Sequence, residues 1–241
     1  MLFKSPSYFL YGFLLFSITS AFADGTQPLP SLADEGLPDA QYDYGMRLIN
    51  GHDYKQDPVA GRQWIEKAAK QGKTEAETQL GKMCLEGEGI PANVAPEDSH
   101  DYKCAKKWLK KGAANGDKKA YYYLASMYEN GLGVQQNITK AFKYYQKAAV
   151  AGDSNAQNMV GNYYYYGITP IQQNYTSAKD WFEKAAEQDN LAAKNKLAGM
   201  YRLGMGVPVD TNKALDMYKH LCKKGQQTSC FAVSDISEKG K

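Results

Sequence analysis

Apolar and small side chains recur along most of this chain three and four residues apart, the spacing of a helix that buries one face, and these stripes come in pairs separated by glycine. From Ala120, the stripe runs through Leu124 to Met127 and Tyr128, and Gly131 and Gly133 end it. Ala141, Tyr144, Tyr145, Ala148 and Ala149 form a second stripe, closed by Gly152. The alanines let neighbouring helices approach closely, and the aromatic rings fill the space between layers.

The pair repeats. "AYYYLASMYENGLGVQQNITKAFKYYQKAAVAGD", beginning at Ala120, is echoed from Ala156 and again in the stretch around Ala193, where the alanine column selects Ala192. Ala120, Ala156 and Ala192 are spaced by 36 residues, as are Ala40 and Ala76, whereas Ala76 and Ala120 are 44 apart, so the second unit carries an eight-residue insertion. Five units follow, at about 39–72, 73–116, 117–152, 153–189 and 190–225, with a partial sixth serving as a C-terminal capping segment and tail over 226–241. An aromatic column runs Trp64, Trp108, Tyr144 and Trp181, with Met217 in the last unit. A single hairpin cannot bury its own stripe, but a stack of five builds a continuous core.

"LASMYENGLGV" followed by "KAFKYYQKAAVAG", and "LAGMYRLGMGVPVDTNKALDMYKHLCKKG", resemble Sel1-like repeats, relatives of the tetratricopeptide repeat. The resemblance spans residues 39–225 and implies an all-α fold, a right-handed superhelical solenoid of antiparallel helix pairs. Two units depart from the pattern. The first has Leu48 at the tyrosine position and no G-x-G, and the fourth has "GITP" and one extra residue.

The composition, 43% hydrophobic and 23% charged, is that of an ordinary globular chain. The N-terminus differs: Lys4, an apolar run and then Ala21 and Ala23 read as a secretory signal over residues 1–23, cleaved before Asp24 and leaving no membrane anchor. Pro28, Pro30 and Pro38 predict an extended, flexible segment over 24–38. Cleavage removes one of 29 basic residues, leaving 28 against 26 acidic ones, which offers no electrostatic case for nucleic acid. The compartment expected is the periplasm of a Gram-negative bacterium, or beyond it.

An even number of cysteines in an exported chain favours disulfides. The seven-residue spacing of Cys222 and Cys230 is similar to that in the secreted Helicobacter cysteine-rich proteins, themselves Sel1-like repeat proteins, though only one such pair occurs here. Cys84 and Cys104 would close a loop of about 20 residues, worth about 3 kcal/mol of chain entropy. Four cysteines allow three connectivities, and proximity in sequence favours 84–104 with 222–230.

Catalytic signatures are missing: the chain has no H-E-x-x-H, G-x-S-x-G, P-loop, S-x-x-K or K-T-G, and "GLGV" and "GMGV" are repeat turns. His52, His100 and His220 stand apart with no ligand spacing, the Glu97/Asp98 pair reads as a solvated loop, and no metal or cofactor is expected. A non-enzymatic scaffold for a protein or peptide partner, acting as a monomer, is the reading that a solenoid favours. Two alternatives stand beside it: a β-lactamase-like or penicillin-binding-like hydrolase, by family analogy alone, and a peptidoglycan or carbohydrate binder.

The partner site is sought in "GNYYYYGITP". Register places Tyr163 and Tyr164 in core columns, with Tyr165 pointing nearly opposite the buried stripe and Tyr166 at its flank. Asn155, Asn158 and Asn162 fall on the same outward face, so amides and phenols together could hold an extended peptide. Alternatively, Tyr165 and Tyr166 pack on the neighbouring repeat's first helix, with Tyr122 as the contact.

Overall fold

The computed structural model describes residues 28–91 and 100–239, among which there are helices and turns but no strand. The signal segment, residues 24–27 and the Glu97/Asp98 pair lie outside the described residues. The chain divides into two compact units, residues 1–100 and 101–241. In the first, α1 (Leu29–Asp34) precedes α2 (Pro38–Asn50), α3 (Pro58–Lys70) and α4 (Thr74–Glu86). The second holds α5 (Tyr102–Ala114), α6 (Lys118–Asn130), α7 (Ile138–Val150), α8 (Ser154–Tyr166), α9 (Tyr175–Glu187), α10 (Leu191–Leu203), α11 (Thr211–Lys223) and α12 (Gln227–Lys239). Within each unit, successive helices pack as hairpins, and the architecture is an all-α solenoid.

Local chemistry sets the helix ends. The second helix of every repeat begins at a side-chain cap: Asp57, Asp101, Asn137, Asn174 and Asp210 each accept from a backbone N–H three residues on, at 2.8–2.9 Å. The first helices α2, α4, α6, α8 and α10 each stop at a left-handed glycine. Two residues past one such stop, Gly206 has φ +69°, and a Cβ there would come within 2.7 Å of the Tyr175 backbone. That turn can therefore seat on the start of α9 only with glycine. In the fourth repeat, where "GITP" replaces the motif, Ile168 and Ile171 pack into the core instead.

The core of the second unit is a chain of overlapping clusters. Tyr145, Val160 and Tyr163 centre one and Phe182, Leu197 and Met200 the next, with Tyr164 packed on both. Met217 joins the latter to a third around Ala198, Tyr218, Leu221 and Ile236. Cys222 of α11 is bonded to Cys230 of α12, Cys84 and Cys104 are also disulfide-bonded, and no cysteine is free.

Two sequence expectations are corrected. Residues 29–34 are helical rather than extended, and Leu32 and Ala33 are buried against Ala40, with Tyr44 and Trp64 beside them. Helix α1 covers the apolar face of the first repeat, and Pro30 sits in its first turn, where its missing N–H costs nothing. The alanine that completes the column in the fifth repeat is Ala193, fully buried, whereas Ala192 is exposed. The extra residue of the fourth repeat shifts the register by one.

Candidate functional site

Two hydrogen bonds fix the first helices of the second unit side by side. Glu129 of α6 accepts from Tyr163 of α8, and the ammonium of Lys196 on α10 bonds the hydroxyl of Tyr166 at the end of α8. Equal register on these 13-residue helices places Tyr122, Asn158 and Asn195 in one row and Ser126, Asn162 and Gly199 in a second, one turn along. A third row holds Glu129, Tyr165 and Arg202.

The asparagines carry the unusual chemistry. The Oδ1 atoms of Asn158 and Asn162 are shielded from solvent and accept no hydrogen bond from any described residue. A buried amide oxygen left in that state costs about 1–3 kcal/mol. In register with Asn162 stand Ser126 and Gly199, both small. Asn155 is exposed, and its Oδ1 accepts from Nδ2 of Asn190 at 3.1 Å.

The aromatic residues divide differently from the sequence expectation. Tyr163 is fully buried, and its hydroxyl and that of Tyr145 both donate to the Glu129 carboxylate at 2.8 Å. Burial, reinforced by that negative charge, pushes both phenols well above the usual tyrosine range. Tyr164 meets Phe142 edge to face at 5.6 Å between ring centres. Tyr165 does not stand opposite the core. It is half-buried, packs edge to face on Tyr175 and Phe182, and donates to the Met205 sulfur at 3.1 Å. Burial raises its phenol, with nearby Lys196 opposing the shift. The position that looked outward on an isolated helix is roofed by the turn of the following repeat.

Tyr166 keeps 55% of its surface exposed, with Lys196 over its ring. Tyr122 is half-buried and meets Tyr123 and Tyr145 edge to face, with its phenol raised by burial and then by Asp153 and Glu129. Its ring partners are thus different from the Tyr165 and Tyr166 expected. The structure brings Asn158, Asn162 and Tyr166 onto one helix flanked by Tyr122 and Lys196, and it turns Tyr165 inward. Glu129 and Lys196 were missed in the sequence. For Glu129 the signal was a register position that changes from acid to phenol to guanidinium between repeats, whereas Lys196 shares its register with Tyr123 and Met159.

A separate groove of about 690 Å³ opens among α9, α10 and α11, lined by Ala186, Lys194, Asp210, Lys213, Met217 and His220. Charges of both signs line it, and among the described residues no three His, Cys, Asp or Glu side chains gather as metal ligands. No described helix is long and apolar enough to cross a membrane.

Comparison with known proteins accords with this geometry. A Sel1 repeat protein from Oxalobacter formigenes superposes with a TM-score of 0.77 at 30% identity, over 86% of this chain and 57% of its own. The protein c5321, described as a protective antigen of uropathogenic Escherichia coli strains with an SLR fold, gives 0.77 at 31% identity over 88% of this chain and 44% of its own. The chain therefore spans about half the length of these two relatives. A Sel1 repeat protein of Klebsiella pneumoniae, at 22% identity and a TM-score of 0.54, shares the fold over 87% of this chain and 97% of its own. No curated protein matches the chain. The Sel1 repeat family matches at residues 38–73, 74–117, 118–153, 154–190 and 191–226, and with five consecutive repeats the chain belongs to that family.

Proposed function

We propose that this protein is an exported, non-enzymatic scaffold that holds an extended segment of a partner protein along α8, in the bacterial cell envelope or after secretion. Sel1 repeats generally mediate protein interactions. The observation that carries the proposal is the pair of unpartnered amide oxygens of Asn158 and Asn162. Residues four apart on a helix are offset by about 6 Å along its axis. Alternate N–H groups on one edge of an extended chain are about 6.6 Å apart, so the two amides, once turned about χ2 to bring their shielded oxygens to the surface, can accept from one peptide edge in succession. Tyr166 supplies a rigid, half-open ring at the end of that row, and Lys196 beside it supplies a cation for an acidic side chain or C-terminal carboxylate. Disulfide-bonded cysteines are compatible with the export reading.

The test is a pull-down from cell-envelope extract with the wild-type chain and an Asn158→Ala/Asn162→Ala variant, followed by titration of the captured segment as a synthetic peptide. Wild type should retain a protein that the variant loses, with peptide affinity about 10-fold or more lower in the variant and melting temperature equal or higher. Equal capture by both would place the partner site elsewhere. Capture of glycan in place of protein would favour carbohydrate binding.

A further inference from the structure

Charge is concentrated in one part of the second unit. Residues 102–150 contain ten lysines, no arginine and two carboxylates, although the whole chain carries 29 basic against 26 acidic residues. Both carboxylates are committed: Asp117 accepts from the first amides of α6, and Glu129 from two tyrosines. On α5, Lys103, Lys106, Lys107, Lys110 and Lys111 follow the i, i+3, i+4, i+7, i+8 spacing of a single helix face. The opposite face of α5, with Ala105, Trp108, Leu109, Gly112 and Ala113, is buried. On α7, Lys140, Lys143 and Lys147 again share one face, all three exposed.

The two stripes belong together. Both helices pack on α6, and Lys107 and Lys143 occupy the same register of the repeat, as do Lys111 and Lys147. The next second helix, α9, keeps Lys184 at the register of Lys111 and Lys147 but has Asp180 at that of Lys107 and Lys143, and with Glu183 and Glu187 beside them its face is mixed in sign. The aromatic rings of this region lie beneath the ammonium groups: Lys107 and Lys111 stand over Trp108, and Lys147 over Tyr121 and Tyr144. Val150, 78% exposed, is an apolar residue at the end of α7.

We infer that the lysine face of α5 and α7 docks on an anionic phospholipid surface. Four features select this occupant. The cations are all lysine, flexible point charges without the planar fork that pairs carboxylates or phosphates of fixed geometry. Lysine is depleted at the core of protein–protein interfaces, where aromatic residues and arginine are enriched, yet here lysine covers the aromatics. Single-stranded nucleic acid calls for rings free to stack on bases, and these rings are capped. A lipid surface asks only for many cations within reach of one plane, and the attraction accumulates lysine by lysine. With no membrane-crossing helix among the described residues, such docking is peripheral.

The test is co-sedimentation of the purified full chain with vesicles of phosphatidylglycerol and phosphatidylcholine mixed 1:1, and with phosphatidylcholine alone. A Lys107→Glu/Lys110→Glu/Lys143→Glu variant and its Lys→Gln counterpart are run alongside, with circular dichroism as a check on fold. The wild type should bind the mixed vesicles at 50 mM salt, lose most binding at 500 mM, and gain much less from phosphatidylcholine. The Gln variant should bind about 100-fold more weakly, and the Glu variant, which reverses the three charges, more weakly still. Binding that ignores both salt and the substitutions, as insertion of the apolar residues 1–23 would give, overturns the inference. So does binding of poly-glutamate or DNA without binding of the mixed vesicles.

Discussion

Glu129 is a polar residue on which much of the packing in the second unit depends. Its carboxylate takes hydroxyl protons from Tyr145 on α7 and Tyr163 on α8, two phenols with almost no exposed surface. Glu129→Ala leaves both donors buried and unsatisfied and should cost about 2–4 kcal/mol in urea denaturation, whereas Glu129→Gln, which keeps an acceptor, should cost about half as much. The two phenols are raised by burial and by Glu129, so the folded state favours their protonated form. Their contribution to stability is complete below the unfolded tyrosine pKa of about 10 and is lost as pH rises above it. Ultraviolet absorbance of tyrosinate should therefore show these two ionising only together with alkaline unfolding. The four-tyrosine run divides by the same reasoning. Tyr165→Ala removes ring contacts with Phe182 and Tyr175 and should cost about 2–3 kcal/mol, while Tyr166→Ala should stay within about 0.5 kcal/mol and weaken partner capture.

Elements here are stopped and seated by single residues, and the glycines are not equivalent. At Gly206 a methyl would need a positive φ and would also press on the Tyr175 backbone, whereas at Gly152, with φ +84°, it would meet nothing within 4 Å. Gly206→Ala should therefore cost about 2–4 kcal/mol and Gly152→Ala about 1 kcal/mol, a difference readable by thermal denaturation. The C-terminal helix is tied twice, by Cys222–Cys230 and by Arg202 bonding Asp235 at 2.6 Å. Cys222→Ser should remove about 2–3 kcal/mol of chain-entropy stabilisation. Because a solenoid's stability is a sum over units and their interfaces, the loss should appear as faster hydrogen exchange in α12 and leave α6 to α8 unchanged.

For the molecule as a whole, the ends matter as much as the repeats. α1 and α12 lie outside the five matched repeats and cover the first and last of them, with Leu32 and Ala33 at one end and Ile236 at the other. A chain ending at Gln226 would uncover Tyr218, Leu221 and Ala198 and should aggregate or melt several degrees lower, as light scattering and calorimetry would reveal. The charge pattern is also a property at this scale. A net charge near neutrality conceals a basic face on α5 and α7 followed by the acids of α9.

Five helix pairs, their order and most core positions were legible in the sequence, because both halves of each repeat announce themselves through local spacing, capping residues and glycine stops. Trp108, Ala120, Leu124, Ala141 and Ala156 are buried as their period requires. Tertiary structure alone decided matters that depend on the neighbouring repeat. An isolated helix wheel sends Tyr165 outward, but the fifth repeat's turn, with Met205, lies over it. The prolines near the N-terminus suggested an extended segment, but the apolar face of the first repeat recruits Leu29–Asp34 as a helix. The unpartnered oxygens of Asn158 and Asn162 were equally invisible in sequence, because whether an amide is satisfied depends on side chains a whole repeat away, and periodicity records burial but not hydrogen-bond partners.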